Sequence, residues 1–196
     1  NVGSSSGSNV STHYDRNWET TGNRFNGLVN AYRDLGSTNM VVSENSIRAL
    51  PSFVDGFTTG GDAFLFSPFG RTATSPGYNA APTVTNNTII NAGRFTAFGT
   101  PGEAGAVHTQ VSGLRATKNV ITDSGGPAFK VAGGGPGLFG AIPFASNNVI
   151  SENQLSGNGT TGSESEGTGI NLFPASGPGA DGDNPWRTPN GGTRAG

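Results

Sequence analysis

One short phrase recurs along the chain and constrains the fold more than any other feature. Asn39–Ala49 reads NMVVSENSIRA, and Asn147–Leu155 repeats it as NNVISENQL. Weaker copies, each with an Asn followed within two residues by an apolar residue, lie at Thr20–Phe25, Thr83–Ile89 and Ala116–Ile121. Because one phrase is used several times, we expect one structural unit to be repeated.

The spacing of the copies indicates the kind of unit. Their fixed asparagines are Asn23, Asn45, Asn87, Asn119 and Asn153, which lie 22, 42, 32 and 34 residues apart. The smallest step suits one turn of a parallel β-helix, and the larger steps suit turns that carry insertions. Asn tolerates left-handed backbone geometry, and its amide can bond to the same residue in the next coil. The spacing therefore predicts a solenoid with an asparagine ladder.

Composition supports short strands and argues against several functions. The chain has 196 residues with 33 Gly and 20 Asn, and only 12% are charged. Short apolar runs broken by Gly, Pro and Asn favour strands and tight turns over helices. A net charge of -2 without a basic run gives no surface for nucleic acid. No apolar segment has the length of a membrane span, and the absence of Cys excludes disulfides and thiolate metal sites.

Three parts of the chain differ in composition. Residues 1–12 are predicted to form an extended polar arm, 13–174 the repeat domain, and 175–196 a Gly/Pro-rich tail that leaves the solenoid. Residues 26–36 admit a capped helix or a solenoid strand, and we favour the strand because similar segments follow the other Asn turns.

The ends of the chain lead to two further expectations. Because it starts at Asn1 without a signal peptide, we expect a processed or excised chain. Neither end has an amphipathic helix to cover a solenoid, so we expect another copy, a partner chain or missing segments to cover at least one end.

The repeats resemble those of a known group of proteins. VVSENSI, VTNNTII and NNVISENQLSGNG are similar to the coils of right-handed parallel β-helix proteins of the pectate-lyase-like superfamily. That superfamily includes polysaccharide lyases, glycoside hydrolases, inulin fructotransferases and tailspikes. The resemblance covers about residues 18–173 and lies in structural repeats, not in a catalytic motif. It implies an all-β, right-handed parallel β-helix of about five coils with loop insertions, and it associates the chain with carbohydrates.

The second strand of each coil provides the expected groove. Aligning these strands predicts an inward stack of Leu28, Phe64, Phe95, Phe129 and Ile170. The same alignment points the next residues outward, namely Val29, Leu65, Thr96, Lys130 and Asn171. Lys130 is the charged member of the outward set, so it could contact an anionic sugar or abstract a proton. The alternative is a solvated surface lysine.

Three carboxylates are the candidate catalytic residues, namely Asp55, Asp62 and Asp123. Glycoside chemistry needs two carboxylates, one protonated and one ionised. We prefer the pair Asp55 and Asp62 because a Gly-rich loop joins them and Phe57 lies between them, and aromatic rings beside carboxylates are typical of sugar sites. The alternative is that these acids only terminate strands.

Three further residues are candidates for substrate binding. Glu103 and His108 share the loop GEAGAVHTQ and could form an acid–base couple. Arg33 could bind a substrate carboxylate or pair with the adjacent Asp34.

Two other motifs are weak. Gly135–Gly140 has G-x-G-x-x-G spacing but no helix after it, so we expect a loop. Asp181 and Asp183 form a D-x-D pair without the rest of a calcium loop, so we expect no metal or cofactor, with Ca²⁺ as the weak alternative.

These observations predict a secreted or cell-surface carbohydrate-active protein. Polysaccharide would lie in a groove on the outward strand face, and paired carboxylates would favour hydrolysis or transfer over elimination because Arg and Lys are sparse there. One alternative is a non-catalytic fibre, sheath, adhesive or tailspike-like subunit. Another is one chain of a cleaved enzyme. The expected partners are a polysaccharide and either a second copy or a partner chain.

Overall fold

The computed structural model of the chain is a stack of short strands. It describes residues 8–26, 30–48, 52–54, 57–59, 63–67, 80–92, 105–133, 135–137, 140–142, 147–159 and 169–174. Within these ranges three sheets are entirely parallel, with six, five and five strands. The same ranges contain no helix, and hence none that could cross a membrane. The all-β, parallel β-helix prediction is therefore confirmed.

We call the three parallel sheets the long, second and third sheets. The long sheet contains β1 (Ser8–His13), β4 (Asn30–Leu35), β9 (Phe64–Ser67), β12 (Val107–Thr109), β15 (Phe129–Gly133) and β20 (Ile170–Pro174). The second sheet contains β2 (Glu19–Thr21), β5 (Val41–Ser43), β10 (Thr83–Thr85), β13 (Arg115–Thr117) and β18 (Val149–Ser151). The third sheet contains β3 (Arg24–Asn26), β6 (Ser46–Arg48), β11 (Thr88–Ile90), β14 (Val120–Thr122) and β19 (Gln154–Ser156). The chain visits the sheets in that order, so each coil lies on the previous one.

The middle residues of the three-residue strands form two sides of the core. Alternation along a strand turns the middle side chain inward and its neighbours outward. The buried middle residues stack in register as Val42, Val84 and Ala116 in the second sheet and Ile47, Ile89 and Ile121 in the third. Each buried Val or Ile side chain in these stacks stabilises the fold by about 1.5–3 kcal/mol.

The long sheet closes the core with aromatic residues, and here the predicted alignment is partly wrong. Phe64, Phe129 and Ile170 do occupy one row. Tyr32 and Val107 take the places that were expected for Leu28 and Phe95. The error arises because an insertion can precede or follow a strand, and the Asn phrases do not fix which side it occupies.

The asparagine ladder is confirmed at all five predicted positions. The main-chain N–H and Nδ2 of the first four, Asn23, Asn45, Asn87 and Asn119, donate to Oδ1 of the Asn in the next coil, at distances between 2.9 and 3.1 Å. The Nδ2 groups of the last four also bond across to a main-chain carbonyl of the preceding coil. Asn119 Nδ2, for example, donates to the Val84 carbonyl at 2.9 Å. The ladder thus joins neighbouring coils at the corner between the second and third sheets.

The left-handed residue of this corner precedes the ladder asparagine, which corrects one reason given for Asn. Positive φ values occur at Gly22, Glu44, Asn86, Lys118 and Glu152, between 55° and 68°. The side-chain amide therefore explains why Asn occupies the ladder position, and the residue before it adopts the strained left-handed backbone conformation. Glu44 and Glu152, which are equivalent in the repeats, are turn residues.

Other segments fall as follows. Asn30–Leu35 is a strand, which confirms the strand interpretation of this region. Ser8–His13, which includes part of the predicted arm, pairs with it as β1. The insertions contain two antiparallel hairpins, β7 (Ser52–Val54) with β8 (Phe57–Thr59) and β16 (Gly135–Gly137) with β17 (Gly140–Ile142).

Replacing Asn119 by Ala tests the ladder. The change leaves the main-chain N–H of Asn87 and the Val84 carbonyl without their amide partners in a buried corner. We expect a loss of about 2–4 kcal/mol in the free energy of unfolding, measured by urea denaturation. Asn23→Ala is the matched control, because the main-chain N–H of residue 23 can still bond to Asn45. It should cost less than about 1 kcal/mol. Equal losses would contradict the ladder's role.

Candidate functional site

One row of the long sheet brings together three residues that were predicted to bind substrate. Cross-strand register places in one line Ser11, Arg33, Leu65, His108, Lys130 and Asn171. Neighbouring members lie on adjacent strands, about 4.8 Å apart along the solenoid. We call this line the outer row, because the rows on either side of it contain the inward core residues. It collects Arg33, His108 and Lys130 from three separate parts of the sequence.

The outer row agrees only in part with the predicted outward set. Leu65, Lys130 and Asn171 occupy it as expected. Arg33 and His108 stand where the alignment had placed Val29 and Thr96, which lie outside the described residues. The true row is therefore more basic than the predicted one.

His108 and Lys130 are direct neighbours and are buried. Their main chains pair between β12 and β15, and the side chains are only 8% and 4% exposed. A buried lysine is rare in proteins. The alternative of a solvated surface lysine is therefore wrong for Lys130, and its contact with a sugar stays a prediction.

Gly105 explains how the coils approach so closely here. A Cβ added at Gly105 would lie 2.8 Å from the Cβ of Lys130 and 3.2 Å from its main-chain nitrogen. Any side chain would force the two segments apart. Gly105 was not singled out from the sequence, because a glycine that is needed for close approach looks like any other glycine in a chain with 33 of them.

Most of the predicted acids lie elsewhere. Asp55, Asp62 and Glu103 lie outside the described residues. Asp123 is exposed and follows β14, where its φ of 57° places it in a left-handed turn. Asn91 and Gly157 are the matching left-handed residues after β11 and β19. The repeat of Asn, Asp and Gly at this corner gives Asp123 a structural reason to be there.

A buried polar cluster at the start of the long sheet was missed by sequence reasoning. Thr12 Oγ1 donates to Oδ1 of Asp34 at 2.9 Å and lies 3.0 Å from the Tyr32 hydroxyl. Tyr32 and Asp34 are both fully buried. Alternation along β4 could have found them, because it turns Tyr32 and Asp34 to the same face of the strand.

The cluster changes the acidity of Tyr32. Burial raises the pKa of the Tyr32 phenol well above its usual value, and the negative charges of Asp34 and Asp15 act in the same direction. The hydrogen bond with Thr12 lowers it in part. Tyr32 is therefore neutral under all ordinary conditions, and it serves the fold as a hydrogen-bonding core residue.

Chemically, the outer row offers donors and positive charge, not paired carboxylates. Among the described residues, no group of three His, Asp or Glu side chains is placed to hold a metal ion. In comparisons with known proteins, the chain matches no family model, and neither a curated protein nor a solved structure gives a significant match.

Substituting Gly105 by Ala tests the close approach beside Lys130. The new methyl group would meet main-chain and Cβ atoms, which cannot rotate away, so we expect a loss of about 1–3 kcal/mol in the free energy of unfolding. Gly22→Ala is the control, since nothing lies within 4 Å of the added Cβ and only its φ of 68° is unfavourable. That control should cost about 1 kcal/mol. A Gly105→Ala protein as stable as the parent would show that β12 and β15 are less closely packed.

The raised pKa of Tyr32 predicts alkaline destabilisation. Below about pH 10 the phenol is protonated in both the folded and unfolded states, so it adds no pH dependence. Above that pH the unfolded chain loses the proton while folded Tyr32 keeps it, so stability falls as pH rises. Urea unfolding between pH 8 and 11 should show a steeper decline for the parent than for Tyr32→Phe. Identical slopes would contradict the burial of the phenol.

Proposed function

We propose that this chain is an extracellular carbohydrate-active β-helix protein, related in fold to the pectate-lyase-like superfamily, that binds a polysaccharide over the outer row. The observation that supports the proposal is the convergence of Arg33, His108 and Lys130 on one line of the long sheet. A straight row of donors spaced by the strand separation suits a linear chain of hydroxyl and carboxylate groups.

The residues of the row would have different tasks. Lys130 supplies an amino group that can donate hydrogen bonds, and the ring nitrogens of His108 beside it can donate or accept a hydrogen bond. Arg33 offers a planar fork that fits a carboxylate. Because Lys130 and His108 are buried, a ligand contacts their side chains only if the residues around them move.

If the protein is an enzyme, the acids Asp55, Asp62 and Asp123 remain the candidates for bond cleavage. One carboxyl would protonate the leaving oxygen, and a second would act as nucleophile or base. Elimination is the alternative, with His108 or Lys130 as the proton acceptor. The basic character of the outer row makes elimination more competitive than the sequence alone suggested.

A non-catalytic fibre, sheath or adhesive subunit is the second candidate function. It is favoured by the apolar side chains that stay exposed at both ends of the described stack, including Trp18 and Leu172. Such ends suit a protein that works as part of an assembly. A cleaved enzyme whose groove is completed by another chain would share this feature.

Binding to a panel of neutral and acidic polysaccharides tests the proposed site. We expect Lys130→Met to weaken binding at least tenfold while keeping the length of the side chain. Lys118→Met is the matched control, because Lys118 is exposed at the Asn corner and the two variants have the same net charge. Lys118→Met should bind like the parent. The proposal fails if no polysaccharide binds or if both variants bind equally, and urea unfolding of each variant verifies that the fold is kept.

Asp55→Asn and Asp62→Asn address catalysis separately. Loss of cleavage with retained binding in either variant would support the carboxylate mechanism. Full cleavage in both variants would remove these residues from the mechanism and leave the outer row as the site.

A further inference from the structure

Large exposed apolar side chains are concentrated at the two ends of the stack. Among the described residues these side chains belong to Tyr14, Trp18, Val149, Ile170 and Leu172. Tyr14 and Trp18 belong to the first coil, and the other three belong to the last strands of the second and long sheets. Ile170 and Leu172 are 43% and 57% exposed although they continue the inward rows of Phe129 and Val131. The core is therefore open at the end formed by β18, β19 and β20.

The asparagine ladder also ends in complementary groups, with a donor at one end of the stack and an acceptor at the other. In every coil of the ladder except the last, the main-chain N–H of the ladder residue donates to Oδ1 of the next Asn. Within the described part of the chain, the N–H of Asn153 has no such acceptor, and Oδ1 of Asn23 has no such donor. The group that would continue the ladder beyond Asn153 is therefore the one that Asn23 presents.

We propose that copies of this chain associate head to tail, with β2 and β3 of one copy adding to β18 and β19 of another. The ladder would then run from Asn153 to Asn23 of the second copy. In the register used between coils, Val149 faces Glu19 and Gln154 faces Arg24 of the second copy. The core rows also continue, because Leu155 meets Phe25 of the second copy.

The long sheet adds a condition to this contact. It has six described strands while the other two sheets have five, because the described chain both starts and finishes in the long sheet. When β2 and β3 of the second copy pair with β18 and β19 of the first, β20 of the first copy and β1 of the second copy would occupy the same position in the long sheet. One of these two strands must therefore move away. We propose that β1 of the second copy moves, and that β20 of the first copy pairs with β4 of the second in its place.

The buried polar cluster opposes this replacement of β1 by β20. Thr12 of β1 holds Asp34 and Tyr32 of β4 by hydrogen bonds, and Leu172 would stand in the place of Thr12 after the exchange. The exchange buries Ile170 and Leu172 but loses the bonds of Thr12. β1 therefore limits association, because it must be displaced before a second copy can add. This inference is independent of the carbohydrate proposal.

The register can be tested with two charge-swapped variants of the full chain. Val149→Lys/Gln154→Glu places opposite charges against Glu19 and Arg24 of the second copy, whereas Val149→Glu/Gln154→Lys places like charges there. Both variants leave the net charge unchanged, and Val149, Gln154, Glu19 and Arg24 are exposed. By sedimentation velocity over a range of concentrations, we expect the first variant to associate at least tenfold more strongly than the second.

Two further variants complete the test. Adding Glu19→Lys/Arg24→Glu to the second variant should restore association, which a contact between two identical ends would not do. Thr12→Val should strengthen association by loosening β1. A parent chain and an attractive variant that both stay monomeric would overturn the proposal, as would equal behaviour of the two charge-swapped variants.

Discussion

The structure depends on the hydrogen bonds that join each ladder asparagine to the next coil. From Asn45 onward each Oδ1 accepts two N–H groups from the preceding coil, and each Nδ2 donates to a carbonyl as well. These bonds satisfy main-chain groups at a corner where the strands have ended and the sheet ladder cannot reach. They also fix the rotational position of successive coils, so that Val42, Val84 and Ala116 stack on one line.

The same constraint explains which parts of the fold could be predicted. The ladder phrase places the second and third sheets, because β5 and β6 lie directly on either side of Asn45. The long sheet lies farther from the phrase, and insertions of different length intervene. Tyr32 and Val107 were therefore missed as core residues, while Phe64 and Phe129 were found. The limit is the unknown start of the long-sheet strand within each coil and not the distance along the chain, since Tyr32 lies 9 residues after Asn23 and Phe64 lies 19 residues after Asn45.

The candidate site shows the same limit in another form. Arg33, His108 and Lys130 were each selected for their chemistry, but only the register of the long sheet shows that they form one row. Exposure could not be predicted either, since the same alternation that placed Lys130 on the outward face suggested a solvent-exposed side chain, and Lys130 is buried. Asp123 illustrates the opposite case. Its residue type is explained by a left-handed turn that Asn91 and Gly157 share, so a carboxylate at that position does not require a catalytic role.

A solenoid stabilised by contacts between neighbouring coils has an unavoidable consequence at its ends. Every interaction that stacks one coil on the next is left half-made on the outermost coils, including the ladder and the core rows. If the two ends match, copies can keep adding to one another, because a head-to-tail contact does not close on itself. A chain that contains a whole number of coils would present matching ends. The sixth strand of the long sheet breaks that match, and Thr12 makes the extra strand costly to displace. In this chain the hydrogen bond between Thr12 and Asp34, which stabilises the first coil, therefore also opposes the addition of a second copy.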